Sequence, residues 1–313
     1  MQRWRGYDAA PVDWDRSVVT IGVFDGVHRG HQATIGHAVA RARELGVKSV
    51  VVTFDPHPAE VVRPGSHPAV LTEPDRKAEL FAALGVDALC VVPFTGEFSR
   101  LSAEDFVHDI LVEHLRATLV VVGENFRFGH RAAGDVALLE RLGHTFGFAV
   151  EDGPLLAEEG TVFSSTYIRS RIEAGDVAAA AKVLGRPHRL EGVVVRGDQR
   201  GRELGFPTAN LLCPPYPAVP ADGVYAGWFI RYGRAGKPPV ALPSAISVGT
   251  NPTFSGRERR VEAHVLDFDD DLYGERVALD FVAHLRGQVK YDGIEPLLTQ
   301  MSADVAQVRR ILA

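Results

Sequence analysis

Two histidines three residues apart, His28 and His31, lie in the glycine-framed stretch GVFDGVHRGH (22–31). Across a strand-to-helix turn that spacing lets both imidazoles face one phosphate group, while Gly22, Gly26 and Gly30 let the backbone approach a ligand closely. A histidine pair in a loop is more often surface polarity or a helix cap, but the glycine frame and the strand-to-helix setting reverse those odds. Further along, SSTYIR (164–169) sets Ser164, Ser165 and Thr166 at a helix start, with Arg169 and then Arg171 in the first turns. That arrangement can cradle a polyphosphate, although alone it reads equally well as an N-cap serine cluster with a solvated arginine. FDPHP (54–58) and GENFRFGHRAAGD (123–135) each follow a strand-like run. Phe54, Phe126 and Phe128, edged by Asn125 and Arg127, can make a stacking wall for a planar ring; in isolation, phenylalanines after a strand are core.

The carboxy-terminal half has its own polar constellation. In RGDQRGRELGFPTANL (196–211) a Gly- and Arg-rich run precedes PTAN, so backbone N–H groups near Gly201 can meet phosphates and Thr208 and Asn210 offer neutral oxygens to Mg²⁺. No GK[ST] follows, which excludes a Walker A loop. In VEAHVLDFDDDLYG (261–274) strand alternation sets Val261, Ala263 and Val265 on one face and Glu262, His264 and Leu266 on the other. A lone strand glutamate is usually solvated.

The elements that must position these residues fall into two patterns. Apolar runs at 17–24, 49–54, 88–94 and 118–123 alternate with helical patterns near 31–45, 75–84 and 103–116. In the first helix Ile35, Ala38, Val39, Ala42 and Leu45 make one apolar face, and Gly46 is a stop. Strands apolar on both sides imply a parallel sheet covered by helices. After a helix at 176–185 and a short linker near 185–189, strand-length runs separated by Gly, Pro and Asp imply an antiparallel barrel or sandwich. The last stretch is an amphipathic helix with Leu297, Met301, Val305, Val308 and Leu312 on one face.

With these pieces assembled, HRGH resembles the HxGH signature of the nucleotidylyltransferases and SSTYIR their second ATP motif. With FDPHP and GENFRFGHRAAGD, residues 15–185 resemble the FMN adenylyltransferase module of prokaryotic bifunctional FAD synthetases. PTAN, GVYAG (223–227), Glu262 and DLYG resemble the riboflavin kinase module over residues 190–313. The resemblance implies a doubly wound, Rossmann-like α/β domain (1–185) followed by an antiparallel β-barrel kinase domain with a C-terminal helix (186–313). It implies that Gly22, Phe24, Asp25, Gly26, Gly30, Ser164, Ser165, Thr166 and Arg169 bind ATP in the first domain, where His28 and His31 are catalytic. Phe54, Asn125, Phe126, Arg127 and Phe128 would bind flavin there. In the second, Gly201, Pro207, Thr208 and Asn210 would bind ATP, Thr208 and Asn210 would hold Mg²⁺, and Glu262 would be the base at the riboflavin 5′-hydroxyl. Riboflavin, FMN and ATP are the partners so implied.

Composition sets the outer limits. Two domains are the natural division of 313 residues, and 46% hydrophobic with 24% charged residues is ordinary for a globular chain. No apolar run reaches the ~18 residues of a membrane span and the start lacks a secretory apolar segment, so the expected location is the cytoplasm, with no membrane partner. A net charge of -6 argues against nucleic acid as partner. Cys90 and Cys213, the only cysteines, exclude a disulfide framework and a Cys-based zinc site, and the run ALCVVPF implies that Cys90 is buried. Weak homo-oligomerisation is compatible with the sequence, which fixes no oligomeric state. Two rivals remain: an HxGH enzyme with another acceptor, such as pantetheine phosphate or a sugar phosphate, against which PTAN argues, and a nucleotide-binding regulator without catalysis. The latter should have lost a catalytic position, yet His28, His31, Arg169, Thr208, Asn210 and Glu262 all stand.

Overall fold

The computed structural model describes residues 1–11, 14–153, 157–158, 161–197, 201, 204–233, 238–253 and 256–313. They form two compact units, Met1–Pro68 with Glu73–Ser164, and Ala69–Thr72 with Ser165–Ala313.

In the first unit, strands β1 (Gln2–Arg5), β2 (Ser17–Ile21), β3 (Lys48–Asp55), β4 (Ala88–Pro93), β5 (Ala117–Val122) and β6 (Ala149–Asp152) pair in parallel in the order β1-β4-β3-β2-β5-β6. Around it lie α1 (Arg29–Leu45), α2 (Pro58–Val62), α3 (Pro74–Ala83), α4 (Ala103–Asp105, running on as a π-helix over Phe106–His114) and α5 (Val136–Phe146). A minimal hairpin, β7 (Ala157–Glu158) with β8 (Thr161–Val162), follows. The strands are apolar on both sides because both are covered. Val19, Ile21, Val50 and Val52 cluster with Phe106, Val107 and Ile110 on one face, whereas Val18 and Val51 meet α1 and α3 on the other. Strand order reverses at β2, whose neighbours are β3 and β5, so the carboxyl ends of β2 and β5 flank the switch point where doubly wound sheets bind ligands.

Some expectations shift. The first apolar run leaves the sheet after Ile21, because Phe24 takes a left-handed φ of 51°. Leu45 is exposed, since it ends α1 beside the left-handed Gly46 cap. Cys90 is fully buried, and that burial pushes its thiol up to about 12.

In the second unit, β9 (His188–Val195), β10 (Ala209–Leu212), β11 (Gly223–Arg231), β12 (Val240–Thr253), β13 (Gly256–Val265) and β14 (Arg276–Arg286) close an antiparallel barrel in the order β10-β13-β12-β11-β14-β9. Alternate residues such as Tyr225 and Phe229, Val261 and Ala263, and Leu279 and Phe281 fill it. Helix α6 (Ser165–Glu173) packs on α7 (Val177–Leu184), which packs on β9 and β14 and sends Val177 into the barrel core. The compact units therefore divide after Ser164, ahead of α6 and α7. Helix α8 (Ile294–Ile311) covers the outside, where Val308 clusters with Ala226 and Leu266. Thus Leu266, on the outer side with Glu262 and His264, is buried under α8. Asp304 is also buried there and pairs with Arg286 at 2.7 Å, as a charge at such a place requires.

Across the β9–β14 seam, Arg189 and Asp280 are directly opposite and make two bonds of 2.6 and 2.7 Å with little exposure. Asp280→Ala leaves a half-desolvated guanidinium and should destabilise the barrel by about 3 kcal/mol. Removing Asp267 from its exposed pair with Arg309 should shift the urea midpoint far less. Equal midpoints for the two variants would refute the difference in burial as the cause.

Candidate active sites

In the first unit the chain leaves β2 through a turn in which Phe24, Gly26 and Val27 all have positive φ (51°, 85° and 39°). The turn delivers His28 as the N-cap of α1, with its Nδ1 accepting the His31 N–H at 3.3 Å. An Nδ1 that accepts leaves the proton of a neutral imidazole on Nε2, which makes Nε2–H the donor of His28. The two rings stack at 3.5 Å and 21°, and the edge of Phe24 supports His31 at 5.2 Å. A Cβ on Gly22 would press on the Phe24 ring and one on Gly30 would come within 3.1 Å of the His28 ring, so both glycines make room for this stack. Asp25 and His28 are buried.

His31 is held well below its ordinary pKa, first by desolvation, then by His28 and by Lys77 of α3. Its Nδ1 is buried without a hydrogen-bond partner, so charging the ring would add an N–H with no acceptor. At neutral pH His31 is therefore an uncharged imidazole at the start of a seventeen-residue helix whose first turn has no acidic side chain. Positive potential here comes from the helix N-terminus and from Lys77.

Arg29 lies over the Phe163 ring at 5.0 Å. Ser164 is half-buried at the end of the first unit. Ser165, Thr166 and Arg169 belong to α6 of the second, where Arg169 Nε donates to the Ala69 carbonyl at 2.7 Å and Arg171 stacks over Tyr167.

Phe54, Phe126 and Phe128 belong to a longer aromatic chain, in which Phe128 is buried in the core beside the sheet and Phe54 and Phe126 are half-buried against it. Phe126 and Phe128 stack at 5.4 Å, Phe128 meets Phe106, Phe106 meets Phe98, and Phe98 and Phe94 both contact Phe54. Phe94, Phe98 and Phe106 carry no signal of this in the sequence, where each reads as an ordinary apolar position. Asn125 and Arg127 are exposed at its rim, with Arg127 3.7 Å from Asp135.

In the barrel, Asn210 on β10 is directly opposite Glu262 on β13, and Thr208 Oγ1 makes a long contact of 3.5 Å with Glu262 Oε2. Val261, Ala263 and Val265 point inward while Glu262 and His264 are half-buried outside, as their alternation requires. His264 donates from Nδ1 to the Pro207 carbonyl at 2.9 Å and packs on Phe206, fixing the turn before PTAN. The Asn210 amide lies so close over Gly197 that any side chain there would overlap it. Pro207, Thr208 and Asn210 line a cleft of about 320 Å³ with Asp269, Asp270 and Tyr273. Asn210 also borders a second cleft of about 970 Å³ carrying Arg169, Arg196, Arg259 and Arg260. Gly201 is half-buried with its N–H-rich neighbours in sequence, Asp198, Gln199, Arg200, Arg202 and Glu203, outside the described residues, as is Phe254. No cluster of three or more His, Cys, Asp or Glu side chains suited to a metal occurs among the described residues.

The comparisons agree with this division of chemistry. The FAD synthetase family profile matches residues 10–167 and the riboflavin kinase profile residues 184–312. A bifunctional riboflavin kinase/FMN adenylyltransferase of Pseudomonas fluorescens is 38% identical over 100% of this chain and 98% of its own. One from Escherichia coli K12 is 36% identical over 93% and 91%. A crystal structure from Streptococcus pneumoniae, titled a macrolide-efflux protein, superposes with a TM-score of 0.88 at 32% identity over 99% of each chain. Efflux is that protein's title alone; among the described residues here no helix is long and apolar enough to cross a membrane. The paired histidines at the sheet's switch point, the Thr-Asn-Glu group on the barrel and two family matches in register with them place this chain in the bifunctional riboflavin kinase/FMN adenylyltransferase family.

Proposed function

We propose that residues 1–185 transfer an adenylyl group from ATP to FMN and residues 186–313 phosphorylate riboflavin, so that one chain converts riboflavin to FAD. The observation that carries this assignment is that each family profile covers one polar constellation, His28 with His31 or Thr208 with Asn210 and Glu262. In the first reaction an FMN phosphate oxygen bonds to the α-phosphorus of ATP as the bond to pyrophosphate breaks. That phosphate is already ionised, so no general base is needed. His28, donating from Nε2, and His31 stabilise charge at the α-phosphate, while Ser164, Ser165, Thr166 and Arg169 hold the departing phosphates. Gly22, Phe24, Asp25, Gly26 and Gly30 shape the ATP-binding turn, and Phe54, Asn125, Phe126, Arg127 and Phe128 receive the flavin.

In the second reaction the riboflavin 5′-hydroxyl attacks the γ-phosphorus, Glu262 accepts its proton and ADP leaves. Gly201 and Pro207 help seat the phosphates. The donors at Thr208 and Asn210 are hard oxygens, with carboxylates of Glu262 and Asp269–Asp271 nearby, a set that suits Mg²⁺ bound chiefly through phosphates. Bound there, Mg²⁺ supplies neutralisation of phosphate charge. Positioning by these side chains matters more than full deprotonation, because phosphoryl transfer is loose. The partners are small molecules, with no role for nucleic acid or membrane; the protein works in the cytoplasm, and weak homo-oligomerisation is compatible with this reading.

His28→Ala should reduce FAD formation by about 10²–10³ and let FMN accumulate, as loss of one transition-state donor does. Chromatography of riboflavin, FMN and FAD after incubation with ATP and Mg²⁺ measures this, and undiminished FAD output would make HRGH only a turn.

Glu262→Gln keeps the shape and loses the basicity. FMN formation should fall by roughly 10²–10⁴ while FAD formation from supplied FMN persists, with stability changed by less than about 0.5 kcal/mol. Intact FMN formation would remove Glu262 from the mechanism.

A fragment of residues 165–313, which retains α6 and α7 on the barrel, should make FMN and no FAD. The shorter 186–313 should do the same chemistry with lower stability, since it lacks Val177 in the core. Folded fragments without kinase activity would overturn the assignment.

A further inference from the structure

Lys77 belongs to none of the motifs. It lies on α3, half-buried, and its Nζ donates to the Val23 carbonyl at 3.0 Å. The same carbonyl accepts from Thr53 Oγ1 at 3.1 Å, so β3 and α3 together grip the residue that opens the left-handed turn. One helical turn further, Phe81 packs edge-on under Phe24 at 5.9 Å, and Phe24 in turn supports His31. Helix α3 thus touches the turn at two points, one polar and one apolar.

We propose that Lys77 is a positioning residue of the adenylyl-transfer site, one that pins the turn carrying His28 and His31 from α3 and sets a fixed positive charge beside His31. This rests on HRGH being that site. An ammonium sequestered like this needs counter-charge, and Asp25 in the turn, Asp55 at the end of β3 and Glu73 ahead of α3 supply it. Burial lowers the Lys77 pKa while these three carboxylates oppose the shift. His31 in turn faces His28 from the helix cap and Lys77 from α3, and both disfavour its protonation. The division of labour follows: Lys77 carries the charge, and His31 remains a neutral hydrogen-bonding ring that neither loses nor gains a proton as a dianionic phosphate arrives.

The sign is definite. Because Lys77 depresses the His31 pKa, removing its charge lets His31 protonate at higher pH. Lys77→Met removes both charge and donor, Lys77→Gln keeps an amide donor without charge, and Lys77→Arg keeps both. In the full chain, the His31 imidazole followed by ¹H–¹⁵N NMR should titrate at higher pH in the Met and Gln variants than in the parent and the Arg variant. The acid limb of FAD formation from FMN and ATP should move the same way, with substrate ionisation common to all variants. FAD formation should fall by up to about 10²-fold in the Met variant, as a displaced turn predicts, and less in the Arg variant. Riboflavin phosphorylation should be unchanged in all three, which reports an intact second unit, while the dispersion of the remaining ¹H–¹⁵N signals reports folding of the first; if the Met variant does not fold, the Gln and Arg pair decides. A titration and acid limb that stay put in Met and Gln would leave Lys77 a structural anchor and overturn the proposal. A His31→Ala control with intact FAD formation would instead refute the site itself, whatever the titration shows.

Discussion

Everything at the amino-terminal site depends on a strained turn. Phe24 and Val27 sit at φ 51° and 39°, where non-glycine residues meet a steric cost of roughly 1–2 kcal/mol each and a β-branched valine is rarely found. Such backbone persists only if its surroundings over-determine it. They do here: the Gly22 N–H bonds to the Val52 carbonyl, the Val23 carbonyl accepts from Thr53 and Lys77, and Gln32 Nε2 donates back to the Val27 carbonyl at 2.8 Å. The strain turns the chain sharply enough for His28 to cap α1 and for His31 to stack on it. An unstrained loop would separate the rings.

The second site is built on the opposite principle. Asn210 and Glu262 face each other across β10 and β13, so the barrel's hydrogen-bond register, not a turn, sets their spacing. A one-residue slip would bring Ala263 opposite Asn210 and turn Glu262 toward the apolar interior. That register is defended by Val261, Ala263 and Val265 in the core, by closure through β9 and β14, and by His264 holding Pro207. Strand-mounted groups gain precision from the whole barrel, whereas turn-mounted groups need dedicated braces.

This contrast explains which parts were legible in the sequence. Period-two alternation marks Glu262 as outward and its neighbours as core, and burial follows that pattern until Leu266, where α8 covers an outer residue that alternation alone leaves in solvent. The parallel sheet was readable from doubly apolar strands, except for the two short edge strands, β1 (Gln2–Arg5), polar and exposed on most positions, and β6 (Ala149–Asp152), with no fully buried position. Lys77 had no local signature. A lysine in a ten-residue amphipathic helix normally faces water, and only the tertiary approach of α3 to the Val23 carbonyl distinguishes it. The aromatic chain from Phe54 to Phe126 was half visible for the same reason: Phe94, Phe98 and Phe106 join it by packing, not by spacing.

The charge arrangement follows from what the first reaction must bring together. FMN phosphate and ATP are both anions, so a cationic site lowers their repulsion, but a site made of titrating imidazoliums would lose that charge across the physiological range. Stacking two histidines at 3.5 Å makes a doubly charged pair unfavourable from the outset. Positive charge on the Lys77 ammonium and on the amino end of α1 leaves His31, which burial holds well below its ordinary pKa, a neutral ring able to donate an N–H. Burial then favours the neutral ring and the desolvated donor at once, so the enclosure that sharpens geometry also fixes protonation. Two of the carboxylates that oppose the lowering of the Lys77 pKa are Asp25, in the turn that follows β2, and Asp55, at the end of β3, so the elements that carry the paired histidines also set the field around them.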